Sequence, residues 1–230
     1  MEEIERVRDA YARRAERRLD ERYSLTDPTN LYLFQRRERA ILAALKRHRL
    51  APLDGLRILD IGCGSGEMLV DLARYGGTPS LMCGIDLLDE RTSRAWQRNQ
   101  QFAIATGNAA ALPYDGSSFD LVLQFTLMSS VLDAGVRAQI AVEALRVLRP
   151  GGAILWYDFI WNPTNRDVRG VGLREIRSLY PNCGVHARRV TLAPPLMRRI
   201  APLSWTLCRA LETVPFLRSH YLIVIRKPSD

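Results

Sequence analysis

Cysteine, histidine and long apolar runs are all scarce in this chain of 230 residues, and each shortage removes a class of function. The four cysteines, Cys63, Cys83, Cys183 and Cys208, are scattered and make no C-x-x-C pair. They read as reduced thiols, not as a disulfide frame or a zinc site. The three histidines, His48, His186 and His220, do not cluster, and no built-in metal centre is expected. No apolar run reaches the roughly 20 residues that a membrane-spanning helix requires. The opening Met1-Glu2-Glu3-Ile4-Glu5 leads into an Arg-rich stretch without a hydrophobic signal region, so a cytoplasmic location is expected. Internal repeats and low-complexity tracts are missing too. One domain with a full core, carrying an appendage, is the reading that remains.

Charge is present in plenty and unevenly spread. The net +8 divides into 13 basic and 9 acidic side chains over residues 1–50, 8 and 12 over 51–165, and 12 and 4 over 166–230. An acidic centre between basic ends suits an anionic acceptor, a membrane surface or nucleic acid, or is simply an Arg-rich solvated face. No RNA-binding module is visible, which weighs against nucleic acid.

The centre carries the informative pattern. Arg57-Ile58-Leu59-Asp60-Ile61 is a short apolar run that breaks into Gly62-Cys63-Gly64-Ser65-Gly66, and a helix is expected over about 64–75. Strand, glycine turn and helix are how α/β folds admit a nucleotide-like ligand close to the backbone. A dinucleotide turn spaces its glycines G-x-G-x-x-G and aims a helix at a pyrophosphate. Here the third glycine comes one residue early and Asp60 stands just before the first. A carboxylate there repels phosphate and attracts a cation.

Downstream the chain alternates strand and helix, the sign of a parallel sheet covered on both faces. Strands are predicted at 57–61, 81–85, 102–106, 119–124, 153–158, 186–192 and 219–226. Helices are predicted near 89–99, 134–148 and 171–180. Arg149-Pro150-Gly151-Gly152 reads as a turn that stops the helix before it. Residues 1–50 are expected to form an N-terminal helical cap, with Ile4, Val7, Tyr11, Ala15 and Leu19 on one helix over 2–22 and a second helix over about 31–48. Residues 51–230 form the core, interrupted at about 195–214 by an apolar and basic helical insertion. Asp86 closes the second strand, where a carboxylate accepts from ribose hydroxyls, and Leu87 and Leu88 suit an adenine face. Asn108 and the Ala109 N–H stand at the third strand's end, Gln124 and Phe125 at the fourth's.

These motifs in this order resemble the class I S-adenosylmethionine-dependent methyltransferases with small-molecule, sugar and lipid substrates. The residues that carry the resemblance are Leu59 to Gly66, Gly84-Ile85-Asp86, Gly107-Asn108-Ala109, Leu112-Pro113, Ser118-Phe119-Asp120 and Leu145 to Gly152. It covers about residues 55–160. The resemblance implies a Rossmann-like three-layer sandwich, with a seven-stranded, mostly parallel sheet whose last strand is antiparallel. It also implies S-adenosylmethionine as cofactor and S-adenosylhomocysteine as product. Asp60, Gly62, Cys63, Gly64 and Gly66 would border the methionine moiety, Asp86 the ribose, and Asn108 with Ala109 the adenine. The family more often has Asp where Asn108 stands.

O-methylation of a sugar or glycan intermediate is the expected reaction. C- or O-methylation of a quinone or lipid is the alternative, and a cofactor-binding protein without catalysis is a third reading. Deprotonating a sugar hydroxyl wants a base, and Asp158 at the end of the fifth strand is the candidate, against a loop-capping role. Asp133 is read as a helix N-cap. The fourth strand exits without an Asn/Asp-Pro-Pro-aromatic or Pro-Cys sequence, which disfavours nucleic-acid methylation. The insertion reads three ways: a lid, a peripheral membrane contact, or packing on the sheet.

Overall fold

In the computed structural model, residues 2–16, 24–162 and 165–229 are described. Helix α1 spans Glu2–Glu16, and the end of the expected first helix, with Leu19, lies outside the described residues. Helix α2 spans Pro28–Arg47; Asp27 caps it by accepting the Thr29 N–H at 2.7 Å, with proline in the first turn.

The strands are β1 Ile58–Ile61, β2 Met82–Asp86, β3 Ala103–Thr106, β4 Phe119–Phe125, β5 Leu148–Phe159, β6 Gly184–Leu192 and β7 Arg218–Arg226. Between them lie α3 Glu67–Arg74, α4 Asp89–Arg98, α5 Ala134–Val147, α6 Leu173–Leu179, α7 Pro194–Ile200 and α8 Trp205–Leu211. They form one sheet in the order β3-β2-β1-β4-β5-β7-β6, in which β7 runs antiparallel to both neighbours. This is the Rossmann-like arrangement expected, antiparallel last strand included.

One local difference concerns Arg149 to Gly152. These residues fall inside β5 and form a large bulge in it: Leu148 pairs with Phe119, and the next partners are Ala153 and Leu121. Gly151 takes a positive φ of +72° there, which only glycine adopts at little cost.

The two sheet faces carry separate cores. Ile140, Ala144 and Val147 of α5, with Ile176 and Tyr180, cover one face; Ile41 and Leu45 of α2, with Leu69 and Leu72 of α3, cover the other. Helix α2 therefore packs on the sheet toward β6 and β7, and the roof over the ligand end is α1. The insertion has a small core of its own, where Met197, Ala201 and Cys208 meet Tyr32 and Leu192. No helix among the described residues is long and apolar enough to cross a membrane.

Candidate functional site

Strand β1 ends where glycines occupy alternate positions, and Gly62, Gly64 and Gly66 take φ of +77°, +57° and +79°. Any side chain would be strained at such angles. The turn is tied to the next strand, since the N–H groups of Gly62 and Cys63 both donate to the Ile85 carbonyl, at 2.7 and 3.1 Å. Burial, with Asp60 and Asp86 nearby, pushes the Cys63 thiol far up, which leaves no thiolate for chemistry.

Asp86 is held rigidly. Its Oδ2 accepts the Gly64 N–H at 2.9 Å and its Oδ1 the Leu88 N–H at 3.0 Å. Arg91 in α4 pairs with it at 3.7 Å, lies against Gly64, and stacks over the Tyr11 ring at 4.9 Å. Asp60 is only 2% exposed, and its Oδ1 has no partner among the described residues. Burial first, then the charges of Asp86 and Glu67, push its pKa up to about 7.

A cavity opens beside the ends of β1 and β4, where the strand order reverses and α/β sheets bind their ligands. Of the residues expected at the cofactor, Gly62, Asp86, Leu87, Asn108, Ala109 and Phe125 line it. The Asn108 Oδ1 accepts the Ala110 N–H at 2.9 Å, closing the turn after β3. Asp60, Cys63, Gly64 and Gly66 shape the turn but do not line the cavity in this conformation. Gln124 faces elsewhere: it is fully buried and accepts from the Tyr180 hydroxyl at 2.5 Å. Neighbouring residues of a strand point to opposite faces, so Gln124 and Phe125 do not share one cavity.

The expectation for Asp158 needs correction. It is fully buried off the cavity wall, and its two oxygens accept the N–H groups of Ser129 at 2.9 Å and Phe159 at 2.8 Å. Burial raises its pKa to about 6 against those bonds. The carboxylate anchors the 3-10 turn Met128–Ser130 to β5, as a loop-holding Asp does. His220 is likewise buried. Its ring stacks on Tyr157 at 4.9 Å and meets Phe159 at 4.2 Å, and burial with the Arg37 charge holds its pKa down at about 3. It stays neutral.

Ile4, Val7 and Tyr11, expected as one face of the cap helix, close the cavity together with residues that carried no signal in the sequence. Glu3, Ile4, Val7 and Tyr11 of α1 form its roof, and Arg91, Thr126, Leu127 and Ser130 complete its walls. The helix is pinned: Glu3 accepts the Leu132 N–H at 2.6 Å, and Arg6 donates to the Ser130 carbonyl at 2.5 Å. The spacing of Ile4, Val7 and Tyr11 was the available signal for the apolar part of that roof.

These residues fit the cofactor that the resemblance implies. An orphaned carboxylate oxygen at Asp60 awaits a donor or a cation, and Asp86 keeps lone pairs for hydroxyl groups. Arg91 is the movable piece, since a long flexible side chain rests over Gly64.

Comparison with known proteins agrees. Residues 58–152 match the family model described as a methyltransferase domain. The 27-O-demethylrifamycin SV methyltransferase of Amycolatopsis mediterranei is 32% identical over 186 residues, which is 73% of this chain and 65% of that protein. The demethylmenaquinone methyltransferase of Lactococcus lactis is 31% identical over 112 residues, 46% of this chain and 43% of that protein. This chain therefore spans less than two thirds of either relative's length. A methyltransferase structure from Methanosarcina mazei shares the fold, with a TM-score of 0.62 at 20% identity, covering 80% of this chain and 98% of that one. With the glycine turn, Asp86 and the sheet order all in place, residues 58–152 form a methyltransferase domain of the class I S-adenosylmethionine-dependent type.

Proposed function

We propose that the protein transfers a methyl group from S-adenosylmethionine to an acidic hydroxyl on an apolar, ring-bearing small molecule. The cavity carries this reading: its walls are mostly apolar, and no free base among the described residues faces it. Among the described residues no histidine lines it. Glu3 is committed to Arg6 and the Leu132 N–H, and Arg6 holds its carboxyl below the ordinary range. Asp86 is committed to two backbone N–H groups. A phenolic hydroxyl, with a pKa near 10 in tyrosine, loses its proton far more readily than an aliphatic one, so it depends less on a base. The relatives' names, a rifamycin and a menaquinone methyltransferase, support a ring-bearing, apolar small molecule as acceptor. The sugar or glycan acceptor expected from the sequence finds support in neither.

When bound, the cofactor supplies a methyl group on a sulfonium. Asp86 orients the ribose through oxygens fixed by the backbone, and Asp60 balances positive charge. The roof of α1 excludes water, and positioning of this kind supplies much of the acceleration of a displacement. Phe125 stacks on Tyr157 at 5.7 Å, and Tyr157 on His220, giving a stiff apolar wall beside the cavity.

Labelled S-adenosylmethionine incubated with a demethylated quinol, a polyketide phenol and free sugars tests the proposal. Label that extracts with the quinol or phenol supports it. Label found only on sugars overturns the acceptor, and a chain that binds NAD but not S-adenosylhomocysteine overturns the whole reading.

A further inference from the structure

We propose that the surface made by α7, α8 and the 3-10 turn Pro215–Leu217 docks on an anionic lipid bilayer. The insertion has two faces of opposite character. One is buried on Tyr32 and Leu192, as described above. The other presents Leu203 at 86% exposure, Phe216 at 75%, Leu207 at 50% and Trp205 at 37%. Nine large hydrophobic side chains are conspicuously exposed among the described residues, and four of them fall within these fourteen positions. Singly exposed apolar residues need no explanation, but a cluster marks a contact surface.

Charge selects the partner. Arg198, Arg199 and Arg209 stand exposed on the same helices. The insertion's one acidic residue, Glu212, is buried and paired with Arg36 at 2.6 Å, so it offers the surface no negative charge. Beside it runs a cleft between α2 and β6, lined by Arg36, Arg39, Arg188, Arg189 and Arg218. Arg36 is neutralised by Glu212, and Arg218 is spent on the carbonyls of Glu212, Arg189 and Thr213. Arg39 and Arg188 have no carboxylate partner among the described residues. Apolar side chains projecting between unpaired arginines match a bilayer whose headgroups are negative and whose interior is apolar. An acidic protein would satisfy the arginines and leave Leu203 and Phe216 without apolar partners.

The surface also lies at the useful end of the molecule. Leu192 at the end of β6 pairs with Arg218 at the start of β7, and Phe159 at the end of β5 pairs with His220. These positions share the end of the sheet at which the cavity opens. Exposure and charge alone carry the docking, whichever acceptor the cavity takes.

Sedimentation of the full chain with phosphatidylcholine vesicles, with and without phosphatidylglycerol, tests it. The chain should pellet with the anionic vesicles and stay in solution with the neutral ones. Leu203→Ser with Phe216→Ser should cut partitioning tenfold or more. Arg39→Gln with Arg188→Gln should cut it about thirtyfold, as about 1 kcal/mol per arginine near a charged surface implies. All four side chains are exposed or line an open cleft, and a thermal melt of each variant verifies folding. Failure of the native chain to bind anionic vesicles, equal binding to neutral ones, or native binding by both variants overturns the proposal. So does a dimer in light scattering that Leu203→Ser with Phe216→Ser converts to monomer without vesicle binding, because the face is then covered by a second copy. Methyl transfer is not read in any arm, so failure here leaves the acceptor assignment standing.

Discussion

Replacing Asp60 by Asn isolates the cost and the use of one buried carboxylate. In the folded chain its pKa is raised from 3.8 to about 7, chiefly by burial. Between those values the folded state keeps a proton that the unfolded state has released. Stability then falls as pH rises through the interval, because the folded state binds more protons. The full loss is about 4 kcal/mol, at about 1.36 kcal/mol per pH unit. Asn carries no such penalty. Urea titrations of both proteins should therefore diverge with pH: nearly equal near pH 4, with Asp60→Asn more stable by up to about 4 kcal/mol at pH 8. Cofactor binding should move the opposite way. Calorimetric titration with S-adenosylmethionine should show the native protein gaining affinity up to about pH 7 as the carboxylate ionises. Asp60→Asn should lose at least tenfold and become insensitive to pH in that range. A stability difference that does not change with pH would refute the burial argument. Unchanged affinity in the variant would refute Asp60's role toward the cofactor.

Three further outcomes are expected. Glu3→Gln weakens the charged bonds that pin α1, by about 1–2 kcal/mol; hydrogen exchange over residues 2–16 should quicken and S-adenosylhomocysteine should dissociate faster, whereas unchanged exchange would show that the pin is idle. Asp158→Asn should cost about 1–3 kcal/mol of stability by spoiling one of its bonds to the Ser129 and Phe159 N–H groups, yet leave kcat within about tenfold; a thousandfold fall in a folded variant would restore it as a base. Arg137 is fully buried, with Nη2 3.0 Å from Glu175 and no well-angled hydrogen bond among the described residues. Because Glu175 keeps Arg169 at 2.8 Å, Arg137→Met should change stability by less than about 1 kcal/mol or raise it, read by urea denaturation.

Much of the ligand end was legible in the chain. A strand that must break at a glycine turn, and carboxylates at the tips of β1 and β2, follow from local rules of dihedral freedom and strand ends. Asp133 is an N-cap as its position suggested, accepting the Val136 N–H at 2.8 Å. Direction was harder to read. Gln124 and Phe125 are neighbours at one strand's exit, and only the strand's orientation in the sheet decides which faces the cavity. Asp158 stands at a strand end as a base would, but its exposure depends on the 3-10 turn folding over it. Arg91 gives no signal as a cavity residue, because its guanidinium reaches Gly64 across twenty-seven positions of chain.

The sequence by itself determined the strand–helix rhythm, the glycine turn and the acidic pair Asp60 and Asp86, because short-range sterics and the spacing of apolar residues specify them. That pattern was enough to identify the methyl donor. Tertiary structure alone decided that α1 and not α2 roofs the cavity, that Asp158 is buried away from it, and that the insertion turns Leu203 and Phe216 outward. Those outcomes depend on which element packs on which face and on what burial does to a charge, and neither is written in any one segment.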